Sequence, residues 1–261
     1  MTLKTVESKH EISEKEIQVE SRSISASMLS DNSASSTLLD DTSFQPGPTL
    51  YIAAQGIRVF RFPLPSSELE IAIYRNDGSL AYTSTRAKKS SGNSVLRDPN
   101  IGNLVSTTYF FGPSREPVLS LLQASEKSNE EANTIKIQGK WTSRSTAFIM
   151  GDGKVFEWSY AHTKDKQGKK VNLVVLREQA PDAKTKGRIV AQLVRGEETR
   201  TPGTKSCTAG NGGQLVLDQD ATSVLDEAVI VATCLMMMKK EIDRRRLIQI
   251  MVLAGAASGG P

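Results

Sequence analysis

The sequence predicts an all-β fold with a single helix: a closed antiparallel barrel of about twelve strands, threaded by a C-terminal hydrophobic helix. Short runs of β-favouring residues recur about every 10–15 residues and are separated by turn residues. One helical segment near the C-terminus is apolar on every face, so protein must surround it on all sides. A closed sheet of about twelve strands is too wide for its own side chains to fill and needs an object of roughly a helix's width, ~10 Å, along its axis.

The first 48 residues differ in composition from the rest of the chain. They contain eleven serines, eight acidic residues against four basic ones, and Phe44 as their one aromatic residue. Burial would not offset the entropy of ordering such a segment, so residues 1–48 are predicted to be a disordered, Ser-rich acidic leader. The leader carries a net charge of −4, which leaves a net charge near +8 on the remaining 213 residues.

Two hairpins carry the strand prediction. In 69–75, Leu69, Ile71 and Ile73 occupy alternate positions, and the following Asn76-Asp77-Gly78 suits a tight turn into 79–85 because Asp-Gly tolerates positive φ. Gly151-Asp152-Gly153 joins 145–150 to 154–160 in the same way. The other candidate strands are 57–62, 92–97, 104–111, 117–122, 134–138, 171–177, 187–194 and 213–218.

A helix is predicted over about residues 223–246. Ser223 can cap it, with Asp226 in the first turn, and five basic residues follow the apolar stretch 228–238. Val231, Leu235 and Met238 are the predicted core residues of this helix. The competing architecture, two packed sheets with the helix outside, requires a polar stripe through 228–238, and the sequence has none.

The barrel domain is therefore assigned to residues 49–247, and 248–261 are assigned to a C-terminal tail. The longest apolar run, 228–238, is about half the ~20 residues that a transmembrane span needs, so no span is expected. Two interpretations of the end of the helix stay open. Arg244-Arg245-Arg246 marks the exit from the barrel, or these arginines and 247–253 together form a basic and apolar membrane-surface segment.

The pattern resembles the tubby C-terminal-like superfamily of tubby proteins, phospholipid scramblases and LURP-one-related proteins, and is most similar to fungal members without an assigned activity. The resemblance spans about 57–246 and rests on three segments: the 74–82 hairpin, the 151–158 segment Gly-Asp-Gly-Lys-Val-Phe-Glu-Trp, and the helix from 225–231 to Arg244-Arg245-Arg246. It implies a twelve-stranded barrel around a central helix. It also implies possible ligands, since tubby proteins bind phosphoinositides and scramblases respond to calcium.

The sequence departs from the characterised branches of that superfamily. Asp218-Gln219-Asp220 resembles the start of a calcium loop, but Ser223 replaces the turn glycine and Val229 stands where the bidentate glutamate belongs. Nor does the sequence contain the cysteine-rich palmitoylation cluster or the proline-rich leader of scramblases.

Enzymatic chemistry finds little support. The sequence has no phosphate loop, no Gly-x-Ser-x-Gly elbow and no His-Glu-x-x-His pair. Its two cysteines are too few for a disulfide framework or a cysteine-based zinc cluster, and its two histidines leave little for metal binding or base catalysis. We therefore predict no enzyme, no catalytic residue, no metal and no cofactor.

Clusters of basic residues are the stronger functional signal. They lie in three segments that adjoin predicted strands, and each side chain can contribute ~1 kcal/mol of attraction to an anionic surface. The third segment contains Lys184, Lys186 and Arg188. The predicted headgroup-binding residues are Lys164, Lys166, Lys169, Lys170, Arg86, Lys88 and Lys89. Alternatively, these residues form a solvated rim that keeps the barrel soluble.

The sequence thus favours a cytoplasmic, non-enzymatic binding or adaptor module that docks on anionic, phosphoinositide-containing membranes; peripheral-membrane or nuclear placement is compatible with it. The alternative is a protein-interaction or structural barrel without a lipid ligand. A scramblase-like membrane protein is a third and weaker alternative, because the terminal helix is short and flanked by charge. Nucleic acid is disfavoured as a partner, since aromatic residues rarely accompany the basic ones.

Overall fold

The computed structural model describes residues 38–39, 44–58, 68–89, 91–110, 115–122, 133–139, 143–180 and 187–258. These residues form twelve strands and two helices. The strands are β1 Pro46–Arg58, β2 Glu70–Arg75, β3 Leu80–Thr85, β4 Ser94–Asp98, β5 Gly102–Thr108, β6 Val118–Leu121, β7 Thr134–Gln138, β8 Thr146–Ile149, β9 Val155–Lys164, β10 Lys170–Glu178, β11 Ile189–Arg195 and β12 Cys207–Asp218. The helices are α1 Ala221–Val224 and α2 Glu227–Ser258.

The strands close into one antiparallel barrel. Each strand pairs with the next along the chain, and β1 completes the circle by pairing with β12. Tight turns make this order possible: Gly78, after β2, has φ 80° and Gly153, before β9, has φ 83°. The closed barrel with a C-terminal helix confirms the predicted fold class and excludes the sandwich alternative.

The first half of α2 lies inside the barrel. Its side chains belong to one hydrophobic core with residues from all twelve strands, which is possible only if the helix is surrounded. Val231 and Met238 are buried, and Leu235 is partly buried against the same core. The indole Nε1 of Trp158 donates to Thr233 Oγ1 at 3.0 Å, which satisfies the polar groups of both buried side chains.

The N-terminal boundary of the barrel differs from the prediction. β1 begins at Pro46, inside the predicted leader, and ends at Arg58, whereas the sequence predicts a strand over 57–62. Residues 59–62 lie outside the described residues, as do 1–37 and 40–43 of the leader. Phe44 is buried in a second hydrophobic cluster with Leu173 and Val216, whose neighbours Val174 and Leu217 belong to the inner core. The last residues of the predicted leader therefore pack on the outside of the barrel.

The helix also differs from its predicted bounds of about 223–246. Asp226 is its cap: Oδ1 accepts hydrogen bonds from the backbone N–H groups of Ala228 and Val229 at 2.8 and 3.4 Å. Ser223, the predicted cap, belongs to the separate turn α1 and donates to the Asp220 carbonyl at 2.7 Å. α2 then continues to Ser258, because the apolar residues after 246 include no proline that would end it. Most of the predicted 248–261 tail is thus helical.

Candidate functional site

The two ends of the barrel can be assigned from its topology. Because consecutive strands are antiparallel, the connections after odd-numbered strands share one end, and those after even-numbered strands share the other. Contacts with α2 fix its direction. Tyr82 Oη, on β3, donates to Glu227 Oε1 at 2.7 Å where α2 begins, and Arg195, which ends β11, pairs with Glu241 fourteen residues later. α2 therefore enters the barrel at the even end and leaves at the odd end.

Charge is distributed unequally between these ends. We counted the described residues in the connections, in the outer two positions of each strand, and where α2 enters and leaves the barrel. The odd end carries 18 basic and 8 acidic side chains, and the even end carries 5 basic and 8 acidic side chains. We call them the basic end and the acidic end. The basic side chains of the basic end are Arg58, Arg86, Lys88, Lys89, Arg115, Arg144, Lys164, Lys166, Lys169, Lys170, Arg195, Arg200, Lys205, Lys239, Lys240, Arg244, Arg245 and Arg246. Such an imbalance gives this end a positive potential that attracts anions.

All seven predicted headgroup-binding residues lie at the basic end. One group sits on the β9–β10 hairpin, whose turn is held by Asp165: its Oδ1 accepts from the N–H groups of Gln167 and Lys169 at 2.9 and 2.8 Å. The four lysines of this hairpin, Lys164, Lys166, Lys169 and Lys170, are exposed. Lys169 forms an ion pair with Glu197, and within the described part of the chain no ion pair involves the other three.

The second predicted group follows β3 and is less uniform. Lys88 and Lys89 are exposed, as a headgroup-binding role requires. Arg86 is half-buried, and its guanidinium donates to the backbone carbonyls of Ser91, at 3.3 Å, and Glu68. Burial lowers the pKa of Arg86. Arg86 therefore holds the β1–β2 and β3–β4 connections together as well as adding charge to this end.

A network of buried ion pairs lies beneath the basic end, and the sequence did not reveal it. Arg195 donates to both oxygens of Glu241, at 2.7 and 2.9 Å, and the Gly210 N–H donates to the same carboxylate at 3.0 Å. Burial alone would raise the pKa of Glu241, but Arg195 holds it below its usual value. The available signal was two acids, at 241 and 243, within an otherwise basic run.

Asp243 anchors the opposite side of α2. Its carboxylate accepts from the Tyr109 hydroxyl and pairs with Lys239 at 3.0 Å and Arg246 at 3.5 Å. Burial lowers the pKa of Lys239 and raises that of Tyr109. These contacts fix α2 to the barrel wall at the level where it leaves.

A cavity of about 60 Å³ opens between α2 and strands β2 to β5 at this end. Glu68, Arg86 and Lys239 share its wall with apolar side chains such as Leu96 and Leu235. The space suits a few water molecules, which charged groups in a half-buried wall require. Burial raises the pKa of Glu68.

α2 projects beyond the basic end. We call residues 247–258 the projecting segment; it contains no charged residue. Several of its large apolar side chains are exposed: Ile248, Ile250, Met251, Val252 and Leu253. Gln249 Nε2 donates to the Arg58 carbonyl at 3.3 Å and ties the first turn of the segment to β1. In the described part of the chain, neither helix combines the length and the apolar character needed to cross a membrane.

The groups usually associated with catalysis or metal binding are scattered. Within the described ranges, no group of three or more His, Cys, Asp and Glu side chains could hold a metal ion. Cys234 lies in the core, where burial raises the pKa of its thiol to about 12. Cys207 is half-buried, and burial also raises its pKa, which keeps the thiol protonated near neutral pH.

Comparisons with known proteins give one structural likeness. No protein-family model matches the sequence, and no curated protein matches it. Among solved structures, the X-ray structure of a protein from Arabidopsis thaliana is similar, with 12% sequence identity, coverage of 77% of this chain and 96% of that chain, and a TM-score of 0.39. A likeness at that TM-score carries no argument, so membership of the tubby-like superfamily stays a prediction.

Proposed function

We propose that this protein is a non-enzymatic binding or adaptor module that docks on anionic membranes, above all those containing phosphoinositides, through its basic end. The supporting observation is the unequal charge of the two ends: 18 basic against 8 acidic described side chains at one end, and 5 against 8 at the other. A protein with this distribution is attracted to a negative surface in one orientation and repelled in the opposite one. It would act in the cytoplasm as a peripheral membrane protein.

The β9–β10 hairpin is the part of this end best suited to the contact. Lys164, Lys166 and Lys170 are exposed, and Asp165 fixes the turn that presents them. Each basic side chain close to an anionic leaflet contributes ~1 kcal/mol, and the contribution decays within a Debye length of ~8 Å at physiological salt. Several lysines on one short hairpin satisfy that distance limit together.

The test is co-sedimentation of the full chain with vesicles of phosphatidylcholine alone, with added phosphatidylserine, or with added phosphoinositide matched in total charge. We expect binding to both anionic vesicles, stronger with phosphoinositide, and weaker as salt rises. Reversing Lys164, Lys166 and Lys170 to Glu should reduce the affinity at least about a hundredfold, since three attractive contributions of ~1 kcal/mol are lost and three repulsive ones are added.

A matched control separates location from net charge. Arg97, Lys136 and Lys154 are exposed and lie away from the basic end. Their triple change to Glu alters the net charge equally and should leave most of the binding intact. Equal losses from both triple variants, or no binding by the unmodified chain to any anionic vesicle, would contradict the proposal and direct attention to a protein partner.

A further inference from the structure

The basic end combines its charges with an apolar helix that the barrel does not cover. The projecting segment continues directly from Arg244-Arg245-Arg246, and no charged residue follows. Leu247 is half-buried, whereas the large apolar side chains from Ile248 to Leu253 are exposed, with Met251 at 58% and Val252 at 66%. Apolar side chains exposed together at this density generally mark a surface that a partner covers.

We infer that the projecting segment inserts into one leaflet of the anionic membrane on which the basic end docks. This inference rests on the proposed function and deepens it, because it adds an apolar anchor to an electrostatic contact. Stable peripheral binding commonly needs two such signals, as with a lipid chain beside a polybasic patch. Here one helix supplies the apolar signal, and the barrel end around it supplies the charge.

The dimensions of the segment agree with insertion into a single leaflet. Its twelve residues extend about 18 Å at the helical rise. One leaflet offers about 15 Å of hydrocarbon, with the headgroup layer outside it. With Arg244-Arg245-Arg246 at headgroup level and the helix axis tilted steeply towards the membrane plane, the apolar side chains reach the outer part of that leaflet's hydrocarbon. A tilted helix keeps its last carbonyl groups close to the interface, where water can satisfy them.

Two further side chains support a membrane-facing orientation of this end. Leu69 and Phe110 are exposed large hydrophobic residues in connections of the basic end. The Arg115 guanidinium lies 6.0 Å from the centre of the Phe110 ring, which pairs an apolar and a basic group on the same loop. Aromatic and basic side chains in this combination suit the headgroup layer.

The charge of the basic end favours a bilayer over the other occupants of an apolar helix. A second copy seated on the projecting segment in a symmetric dimer would bring two basic ends together, each with 18 basic against 8 acidic side chains among the described residues. Like charges at such a contact are repulsive, whereas an anionic leaflet is complementary. The bilayer is therefore the partner that satisfies both the apolar and the charged features.

The test compares two double variants of the full chain in vesicle binding. Met251→Glu with Val252→Glu places charges on the projecting segment, and the matched control, Ile101→Glu with Ile149→Glu, places them on exposed residues of the acidic end. We expect the unmodified chain to retain a bound fraction at about 0.5 M NaCl, where charge attraction is largely screened. The 251/252 variant should lose that fraction and bind about tenfold or more weakly at physiological salt, whereas the control should bind normally.

The outcomes separate this inference from the proposed function. If the lysine reversal abolishes binding but the 251/252 variant binds like the unmodified chain, docking stands and insertion is overturned. If the unmodified chain binds no anionic vesicle, docking itself fails. Light scattering adds a further check: a dimer that the 251/252 variant dissociates would assign the segment to a second copy and overturn insertion.

A direct measurement of depth completes the test. A Val252→Trp chain should show more quenching by brominated lipids than the unmodified chain, whose own two tryptophans, Trp141 and the fully buried Trp158, give the baseline. An Ile101→Trp chain serves as the control and should show no added quenching. Equal quenching of the Val252→Trp and Ile101→Trp chains would overturn insertion.

Discussion

The two ends of the barrel meet the same helix in different ways. At the acidic end, Glu227 begins α2, accepts from Tyr82 and pairs with Arg75 at 3.1 Å, and the Arg75 side chain is 44% exposed. At the basic end, Glu241 and Arg195 form a bidentate pair in which neither side chain is more than 10% exposed. Water therefore reaches the pair at the acidic end through Arg75, although Glu227 itself is 15% exposed, whereas the pair at the basic end is enclosed.

This difference explains how the basic end keeps its surface charge. Glu241 and Asp243 form their ion pairs inside the barrel, so these acids of α2 do not pair with the lysines of the outer loops. At the acidic end, Asp226 and Glu227 instead stand at a helix N-terminus, where the helix dipole favours negative charge. The sign of each end follows from the balance of its charges, while burial of Glu241 and Asp243 keeps these two acids away from the exposed lysines of the basic end.

The largest expected effect concerns the helix that joins the two ends. Val231→Asp places a carboxylate in a fully buried position and should destabilise the protein by more than about 4 kcal/mol, enough to unfold it. Leu235→Asp should cost less, because Leu235 lines the cavity at the basic end and is only partly buried. Circular dichroism and urea denaturation measure both. A folded Val231→Asp chain with an unchanged midpoint would refute the central position of α2.

The next effect compares the two ion pairs directly. Glu241→Ala leaves Arg195 buried without its partner, which typically costs about 3–5 kcal/mol. Glu227→Ala breaks a pair that water reaches and also removes the acceptor of the Tyr82 hydroxyl, which together should cost about 1–2 kcal/mol. Urea midpoints of the two variants give the comparison. Equal losses of stability in the two variants would show that the two ion pairs do not differ in effective burial.

The smallest effect is the pH dependence of the buried pair. Because Arg195 holds the pKa of Glu241 below its ordinary value of 4.5, the pair's contribution is complete above about pH 4.5 and is lost as the pH falls through the folded value. The stability advantage of the unmodified chain over Glu241→Gln should therefore shrink as solutions are made more acidic. Urea midpoints at several pH values measure this. If the stability difference between the two chains stayed constant down to pH 3, the pKa of Glu241 in the folded protein would have to lie far below its ordinary value, although burial opposes such a shift.

Much of the fold follows from local signals. The 74–82 hairpin, its counterpart at 151–158 and the apolar stretch 228–238 identify strands, turns and a surrounded helix without reference to distant residues. Because each local signal agrees with the closed barrel, the strand number and the place of the helix could be predicted.

The seam between β1 and β12 could not be predicted in the same way. β1 starts with Pro46-Gly47-Pro48, and β12 contains Gly210, Gly212 and Gly213, all residues that indicate turns when read locally. In the structure glycine is required there because the strands approach closely: a Cβ on Gly212 would lie 1.8 Å from the Ile52 carbonyl oxygen. Only the pairing of residues more than 150 positions apart supplies that reason.

Only part of the candidate site could be predicted from the sequence. The exposed lysines are evident as a cluster, and counting alternate hairpins would have placed residues 86–89 and 164–170 at one end. The partners that the barrel wall supplies to Glu241 and Asp243 were not accessible, because Arg195 comes from β11 and Tyr109 from the residue that follows β5. Which charges face inward depends on how the strands are arranged around α2.

The even number of strands also determines at which end of the barrel the chain enters and leaves. The backbone enters β1 at the acidic end, where the Gln45 N–H donates to Asp218 at 2.8 Å, and twelve strands return it to that same end. Only α2 then carries the backbone through to the opposite side. A label at Gln45 and one at Val252 of the projecting segment therefore report on opposite sides of the barrel, and anchoring the second side leaves the first facing away from the anchor.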